Sequence, residues 1–233
     1  IVLGEPNSIN SEILAKSKAY KNRAVIIGSY NLLKAQLKIL KIKRRLKKIN
    51  ITKDINQSDK VLNILDVPLK FSKAFSVNSK ESSIYVKKSL ALAHKLCLQK
   101  ELKGMINCSI SKKNFFKNKN YGVTEFLAIK NKVYNSEVMI IYNKKLSVVP
   151  ITTHIKVKQI SKLIKKDLLI KKIRTLHKDY LKYFKINPRI AILGLNPHNF
   201  ELKRNSEEAK IIVPVINILK KKFNISGPYP SDT

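Results

Sequence analysis

Short apolar segments alternate along the chain with longer segments of helical periodicity. The apolar segments are rich in Val, Ile and Leu, which is typical of strands that are buried on both faces. The alternation predicts an α/β fold with a largely parallel sheet flanked by helices. The predicted strands are 1–3, 24–27, 61–65, 104–107, 137–142, 146–150 and 189–193. The predicted helices are 11–20, 30–39, 82–102, 124–130, 157–184 and 206–223.

Proline and capping residues set some of these boundaries. Pro188 is expected to end one helix and begin a strand, because proline cannot continue a helix. Ser206 resembles a helix N-cap, and the carboxylates of Glu207 and Glu208 would match the helix dipole. Pro214 lies inside the same helical pattern and is expected to kink it.

Composition limits the class of protein. The chain has 233 residues, a mass of 26.7 kDa and an apolar share of 44%, which allows one large or two small globular domains. A composition change near Lys130 predicts a first lobe over residues 1–130 and a second over 131–233. No apolar run approaches the roughly 20 residues that cross a bilayer. Cys97 and Cys108 are expected to be buried thiols, which favours a reducing, cytoplasmic location.

The charge balance is extreme, with 48 Lys and Arg against 15 Asp and Glu and a net charge of +33. Alone, this value would suggest binding to nucleic acid or to an anionic membrane. The basic residues are spread through nearly every predicted element, however, which favours a general bias in residue usage. The densest cluster is predicted to be a solvated helix end, and it comprises Lys38, Lys41, Lys43, Arg44, Arg45, Lys47 and Lys48.

Two segments rich in β-branched residues each lead to a histidine. His154 follows residues 149–153, and His198 follows residues 190–197. A long helical segment separates them, as in a β-α-β crossover, so both imidazoles are expected at the carboxyl edge of a parallel sheet. Two imidazoles in one crevice would suit a divalent metal, which makes His154 and His198 candidate ligands; as a simpler alternative, each is a structural histidine at the end of a strand. His94 and His177 lie in helical segments beside lysines, where surface or boundary positions explain them better than metal binding.

Five segments resemble, in the same order, motifs of the 4-hydroxythreonine-4-phosphate dehydrogenase family. They are GEPNSINSEI (4–13), GVTEFLA (122–128), TTHI (152–155), GLNPH (194–198) and GPYPSDT (227–233). The resemblance implies a two-lobed fold like that of isopropylmalate dehydrogenase. In the family the chain returns to the first lobe after the position where this sequence stops, so the first lobe is expected to be incomplete and the chain to be a fragment.

The resemblance also implies the reaction. Enzymes of the family use NAD or NADP to oxidise 4-phosphooxy-L-threonine, and the product loses carbon dioxide to give 3-amino-2-oxopropyl phosphate. They are homodimers whose active sites are shared between subunits. We therefore expect a small phosphorylated hydroxy amino acid as substrate, with no nucleic acid or membrane as partner. The chain contains 6 glycines and no Gly-x-Gly-x-x-Gly fingerprint, so the cofactor-binding residues are not identified.

For the metal, the resemblance implies that His154 and His198 bind Zn, Mg, Mn or Co. A third histidine would come from a His-Asp-Gln segment of the partner subunit, beyond position 233. Asp232 matches a family aspartate and would orient a metal-bound group or an imidazole. As a simpler alternative, Asp232 is a turn residue.

For the substrate, the resemblance assigns contacts to Thr124 and to the position of Val123, where the family has histidine. Valine cannot donate a hydrogen bond, so one substrate contact is lost or replaced. Lys112 follows a predicted strand and would hold substrate anions. The simpler alternatives are that Thr124 caps a helix and that Lys112 faces solvent. Residues 199–202 replace a glycine-rich family loop, which predicts a stiffer loop beside His198.

Three alternatives to this function stay open. A paralogue would oxidise four-carbon sugar-acid phosphates such as erythronate or threonate phosphate, which the change at Val123 makes credible. A basic protein of the same fold without catalysis would bind nucleic acid tightly and with steep salt dependence. An inactive homologue would keep the fold alone.

Overall fold

A computed structural model describes residues 1–17, 24–50, 55–56, 58, 60–111, 122–153, 155–202 and 204–231. The chain forms two compact units, Ile1–Tyr121 and Gly122–Thr233. Residues 122–130 thus belong to the second unit, whereas the composition change placed them in the first lobe; the lobe boundary stays a prediction. No helix in the described part of the chain is long and apolar enough to cross a membrane.

The first unit is built on a parallel sheet with strand order β1-β3-β2. Its strands are β1 (Val25–Gly28), β2 (Arg45–Ile49) and β3 (Val61–Asp66), and its helices are α1 (Asn10–Lys16), α2 (Tyr30–Ile39) and α3 (Ser79–Leu98). The predictions for β1, β3 and α2 are confirmed. The predicted strands 1–3 and 104–107 occur only as isolated parallel bridges from Val2 to Ile27 and Asn107.

The basic cluster was assigned wrongly. Helix α2 ends at Ile39, and residues from Arg45 onward form strand β2 instead of a solvated helix end. Ile49 is buried and Leu46 packs against the core, so two apolar side chains hold the strand on the sheet while its lysines face solvent. Among the described strands β2 lies at the sheet edge, where lysines discourage pairing with another chain.

The core of the first unit lies between the sheet and helices α1 and α2. Strand β1 is buried at all four positions, as expected of a strand covered on both faces. Helix α3 packs beside β1 and buries Tyr85, Val86 and Leu90. The core residues on the α1 and α2 side are Leu3, Leu14, Ala15, Ile26, Leu33, Leu37, Leu62 and Ile64.

The second unit combines a helical layer with a two-stranded parallel sheet of β4 (Ile190–Leu193) and β5 (Ile225–Tyr229). Its helices are α4 (Val123–Lys130), α5 (Ile160–Leu163), α6 (Lys166–Phe184) and α7 (Val213–Leu219). Shorter turns occur at Val157–Gln159 and Pro197–Leu202 (3₁₀) and at Glu208–Ile212 (π). The core contains Ile164, Leu169, Ile173, Ile212, Val215, Ile216, Leu219 and Ile225.

Both long predicted helices of this unit are interrupted. Ile164 and Lys165 adopt extended backbone angles between α5 and α6, and Ile164 is buried in the core. The predicted helix 206–223 is interrupted by the π turn Glu208–Ile212 just before Pro214, and the predicted kink itself stays a prediction. Proline has no N–H, so the α-helical bond back to Lys210 cannot form, and the wider turn accommodates the mismatch.

The predicted crossover between the two histidine segments is wrong. Segments 137–142 and 146–150 form an antiparallel pair with one bridge, between Ile141 and Val148, instead of a strand beside β4. The parallel neighbour of β4 is β5, which the sequence analysis did not predict. Strand β5 contains Gly227 and Pro228, residues that are unfavourable in most strands.

Candidate functional site

The turn after β4 presents His198. Gly194 extends the pairing of β4 with β5, since its N–H donates to the carbonyl of Tyr229 at 2.8 Å. Residues 195 and 196 then turn the chain into the 3₁₀ turn Pro197–Leu202. The side chain of His198 is exposed. The prediction that His198 follows a strand at its carboxyl end is therefore confirmed, whereas the expected burial of that strand is wrong, because β4 alternates half-buried and exposed residues.

The buried carboxylate of Glu208 is hydrogen-bonded to the first residues of this turn. Glu208 Oε1 accepts hydrogen bonds from the N–H groups of Leu195 at 2.8 Å and Asn196 at 2.9 Å. The Asn196 side-chain Nδ2 donates to both carboxylate oxygens, at 3.3 and 3.1 Å. Burial raises the pKa of Glu208, but the bonds from Asn196 and Leu195 outweigh it, so the pKa lies below its ordinary value. The carboxylate is therefore charged at neutral pH.

The part of the turn at residues 198 and 199 is also anchored. His198 and Asn199 have left-handed φ angles of 51° and 52°, which cost non-glycine residues about 1–2 kcal/mol each. Asn199 is 8% exposed, and its Nδ2 donates to the carbonyl of Pro228 at 3.0 Å. Its N–H donates to the carbonyl of Asn196 at 3.1 Å. These bonds fix the backbone conformation that turns His198 outward.

The other predicted metal ligand, His154, lies outside the described residues, and its pairing with His198 stays a prediction. Ile151, three positions before it, packs against the same core as Ile192 and Leu195. The segments that lead to the two histidines thus start from one core. Among the described residues, no group of three or more His, Cys, Asp and Glu could hold a metal ion.

The predicted substrate residues lie at the start of α4. Gly122 is the N-cap, and its N–H donates to Glu125 Oε2 at 2.6 Å. Thr124 is therefore in the first turn, which excludes it as the capping residue, and its side chain is exposed there. Val123 is half-buried. The structure therefore places an exposed Thr124 at the N-terminus of a helix, an end whose dipole in general favours anions.

The opening motif of the chain supports the segment that leads to Lys112. Asn10 is buried, and its Nδ2 donates to the carbonyls of Leu3 at 2.8 Å and Ser109 at 2.9 Å. Ser109 Oγ donates back to Asn10 Oδ1 at 2.8 Å. Gly4 has a φ of 68°, and a Cβ there would lie 2.4 Å from the Ser109 carbonyl oxygen. Lys112 and Asp232 themselves lie outside the described residues.

The remaining histidines and the cysteines have local roles. His177 Nε2 lies 2.9 Å from Asn187 Oδ1, and its ring packs on Phe223 with centroids 4.4 Å apart, so it joins α6 to the segment before β4. His94 is half-buried on α3. Both cysteines are free thiols that are half-buried, and burial raises the pKa of each.

The anchoring roles of three residues were not predicted from the sequence: Asn10, Gln36 and Glu208. Gln36 Nε2 donates to the carbonyls of Pro6 at 2.7 Å and Ala74 at 2.8 Å and is buried within α2. A signal for Gln36 existed, since it occupies an apolar face of a helix whose neighbours Leu33 and Leu37 are core residues. Glu208 gave no such signal, because a carboxylate near a helix start has an ordinary explanation.

Comparison with known proteins gives consistent matches over the chain. The family model described as "Pyridoxal phosphate biosynthetic protein PdxA" matches residues 20–233. The 4-hydroxythreonine-4-phosphate dehydrogenase of Aquifex aeolicus is 34% identical over 241 residues, which cover 100% of this chain and 73% of that protein. A provisionally named D-threonate 4-phosphate dehydrogenase of Oceanobacillus iheyensis is 27% identical over 253 residues, covering 100% and 74%.

Solved structures agree with the sequence matches. The crystal structure of 4-hydroxythreonine-4-phosphate dehydrogenase from Klebsiella pneumoniae superposes with a TM-score of 0.89 at 25% sequence identity. The superposition covers 100% of this chain and 74% of that one. The likeness confirms the α/β class with parallel sheets flanked by helices.

Proposed function

Because this chain belongs to the family of pyridoxal phosphate biosynthetic protein PdxA, we propose that it oxidises 4-phosphooxy-L-threonine with NAD or NADP. When bound, NAD or NADP would accept a hydride from the hydroxyl-bearing carbon while the hydroxyl proton passes to a base or to water, and the resulting 2-amino-3-oxo acid would lose carbon dioxide. The product is 3-amino-2-oxopropyl phosphate. The observation that carries the proposal is the anchored turn after β4, which presents His198 at the carboxyl end of a strand.

The proposed metal ligands are His154, His198 and a histidine of the partner subunit. Imidazole suits zinc, cobalt and related divalent ions, and three protein ligands leave a position for substrate. His198 fits this role because its side chain is exposed while its backbone is fixed on both sides. When bound, a divalent cation would stabilise negative charge that develops on the substrate oxygen. Asp232 is proposed to orient a metal-bound group or an imidazole.

The proposed substrate contacts are Thr124 and Lys112. Thr124 lies exposed at the start of α4, where a phosphate or carboxylate is favoured electrostatically. Lys112 lies three positions after Ser109, which Asn10 binds, and its ammonium group is proposed to bind substrate anions. The general basicity of the chain would help draw in a phosphorylated substrate.

A second candidate substrate is a four-carbon sugar-acid phosphate. Val123 is half-buried in the first turn of α4 and offers no hydrogen bond to a substrate amino group. The relative from Oceanobacillus iheyensis is named for a threonate phosphate. Measuring kcat/KM for 4-phosphooxy-L-threonine against threonate 4-phosphate in the same preparation separates the two candidates.

The proposed assembly is a homodimer, and an apolar surface of the second unit supports it. This hairpin surface comprises Ile141, Tyr142, Leu146, Val148 and Phe184. Leu146 is 74% exposed and Ile141 is 60% exposed. The rings of Tyr142 and Phe184 stack with centroids 4.9 Å apart, so the hairpin packs against the end of α6. Exposed apolar side chains grouped in this way are typical of protein interfaces.

Histidine substitution tests the function. We expect His154→Ala and His198→Ala each to lower metal-dependent reduction of NAD by at least about 100-fold, because catalytic metal sites need three ligands. Metal content per subunit, measured by mass spectrometry in the same variants, should fall as well. His94→Gln is the control and should keep both properties. Full turnover and metal content in both alanine variants would refute the assignment.

A further inference from the structure

The carboxylate of Glu208 lies beneath the turn that carries His198. We propose that Glu208 is a positioning residue, which fixes the backbone of residues 194–199 and thereby the orientation in which His198 is presented. This inference rests on the proposed function, because the orientation of His198 matters only if its imidazole binds a metal, and a metal site needs its imidazoles at set positions. Its structural part, the fixing of the turn, concerns the metal-free protein.

The carboxylate of Glu208 accepts hydrogen bonds from several donors of the turn. Both backbone N–H groups at the start of the turn, those of Leu195 and Asn196, point at the same oxygen. The Asn196 side chain adds bonds to both oxygens. Hydrogen bonds to a charged acceptor are roughly twice as strong as neutral ones. A single residue from the π turn therefore accepts the hydrogen bonds that the backbone N–H groups of residues 195 and 196 donate.

The anchors flank His198 in sequence and meet at Gly194. A Cβ on Gly194 would lie 3.3 Å from Glu208 Oε1 and 2.0 Å from Asn199 Oδ1, so both side chains approach this glycine closely. Asn196 is held by Glu208, and Asn199 is held by the carbonyl of Pro228. His198 lies between them with a left-handed φ of 51°. This conformation is unfavourable alone, so it depends on the anchors on either side.

The burial of Glu208 supports a specific role. Its exposed fraction is 0%, and a buried carboxylate is costly unless it is fully bonded. The hydrogen bonds from the turn lower its pKa in spite of that burial. Glu207 provides the contrast, because it is half-buried and only its Oε2 contacts the turn, at 3.1 Å from Asn196 Nδ2. Glu207 holds no backbone amide of residues 195 and 196.

The test compares Glu208→Gln with the control Glu207→Gln in the metal-free whole protein. Amide hydrogen exchange at Leu195 and Asn196 and backbone ¹⁵N relaxation at His198 are measured by NMR. In Glu208→Gln the negative charge is lost and the new NH₂ group faces the Asn196 side-chain donor, so the bonds from Leu195 and Asn196 weaken and we expect exchange at both amides to accelerate about tenfold or more. Relaxation should show greater motion at His198. Exchange at Ile192 in β4 and all readouts in Glu207→Gln should stay unchanged.

Titration with Co²⁺, followed by its visible absorption bands, tests the consequence for the metal site. The dissociation constant in Glu208→Gln should rise about 10–100-fold, as is typical when a residue supporting a ligand is replaced. Glu208→Asp, which keeps the charge on a shorter side chain, should recover part of the affinity. If Glu208→Gln does not fold, Glu208→Asp against wild type decides the question by the same readouts.

The outcomes separate this inference from the proposed function. Unchanged exchange at Leu195 and Asn196 in Glu208→Gln would overturn the inference. Faster exchange with unchanged Co²⁺ affinity would also overturn it, because His198 would then not depend on the turn. If wild type itself binds no Co²⁺, the proposed metal site fails, and exchange and relaxation at His198 alone decide whether Glu208 positions the residue.

Discussion

Tyr85 links helix α3 to the start of α2 through one buried hydroxyl. Its oxygen accepts a hydrogen bond from the Ser29 N–H at 3.0 Å, and Ser29 is the N-cap of α2. A Cβ on Gly28 would lie 2.8 Å from the Tyr85 hydroxyl oxygen and 2.6 Å from Leu3 Cδ1, so glycine is required there for close approach. The carboxyl end of β1 is thus built around a buried phenol.

Tyr85 should make stability fall in alkali. Burial raises the pKa of Tyr85 to about 12 from 10.0. The folded state therefore holds the phenol proton more tightly than the unfolded state, and stability is lost as pH rises from 10 through 12. The loss is about 1.4 kcal/mol per pH unit within that window.

The pH effect is measured as the difference in the free energy of unfolding between wild type and Tyr85→Phe, obtained from urea unfolding at pH 8 to 11.5. Taking the difference cancels the titration of the lysines, which occurs in both proteins. Removing the hydroxyl leaves the Ser29 N–H without its partner, so Tyr85→Phe should be less stable at pH 8 by about 1–3 kcal/mol. This difference in the free energy of unfolding should become smaller above pH 10. A gap that stays constant across the range would contradict the prediction.

At the level of single residues, the sequence was informative where an apolar segment leads to a side chain that can bind a metal. His198 was predicted at the end of a strand because an apolar run leads directly to it. Glu208 was assigned to a helix dipole, because local sequence does not reveal that Leu195 and Asn196 point their N–H groups at it. Such contacts arise from tertiary packing, which side-chain periodicity does not encode.

The helix and strand predictions held where burial and local pattern agree. Strands β1 and β3 and helix α2 follow their apolar patterns because they form the centre of the first unit. Strand β2 was missed because only Leu46 and Ile49 are apolar in it. Strand β5 was missed because pairing with β4 overrides the poor strand propensity of Gly227 and Pro228. Strands β2 and β5 thus both form because each pairs with a neighbouring strand, which the local sequence does not show.

Helix α4 depends strongly on its cap. It has eight residues and buries Ala128 alone, so its packing contributes little. We expect Glu125→Ala to destabilise the second unit by about 1 kcal/mol, because the Gly122 N–H loses its acceptor. Glu125→Gln keeps a neutral acceptor and should cost less. Urea unfolding followed by circular dichroism measures both, and equal stability of Glu125→Ala and wild type would show that the cap is unimportant.

The charge and the apolar surfaces of the molecule point to different partners. Lysines occur on the outer side of β2 and along α6, in both units, which fits a general bias better than one nucleic-acid groove. A nucleic-acid protein would instead require steeply salt-dependent binding through a continuous basic face. The hairpin surface instead groups exposed apolar side chains on two paired segments, which is typical of an interface between proteins.

The hairpin surface should hold the homodimer together. We expect wild type to have twice the subunit mass in light scattering after size-exclusion chromatography. The double variant Ile141→Asp, Leu146→Asp should be monomeric, because two carboxylates would lose hydration in an apolar interface. It should also lose turnover, since the proposed site takes a histidine from the partner subunit. Val157→Asp is the control, because Val157 is 83% exposed on a 3₁₀ turn outside the surface. A dimeric double variant, or dissociation of the control as well, would place the interface elsewhere.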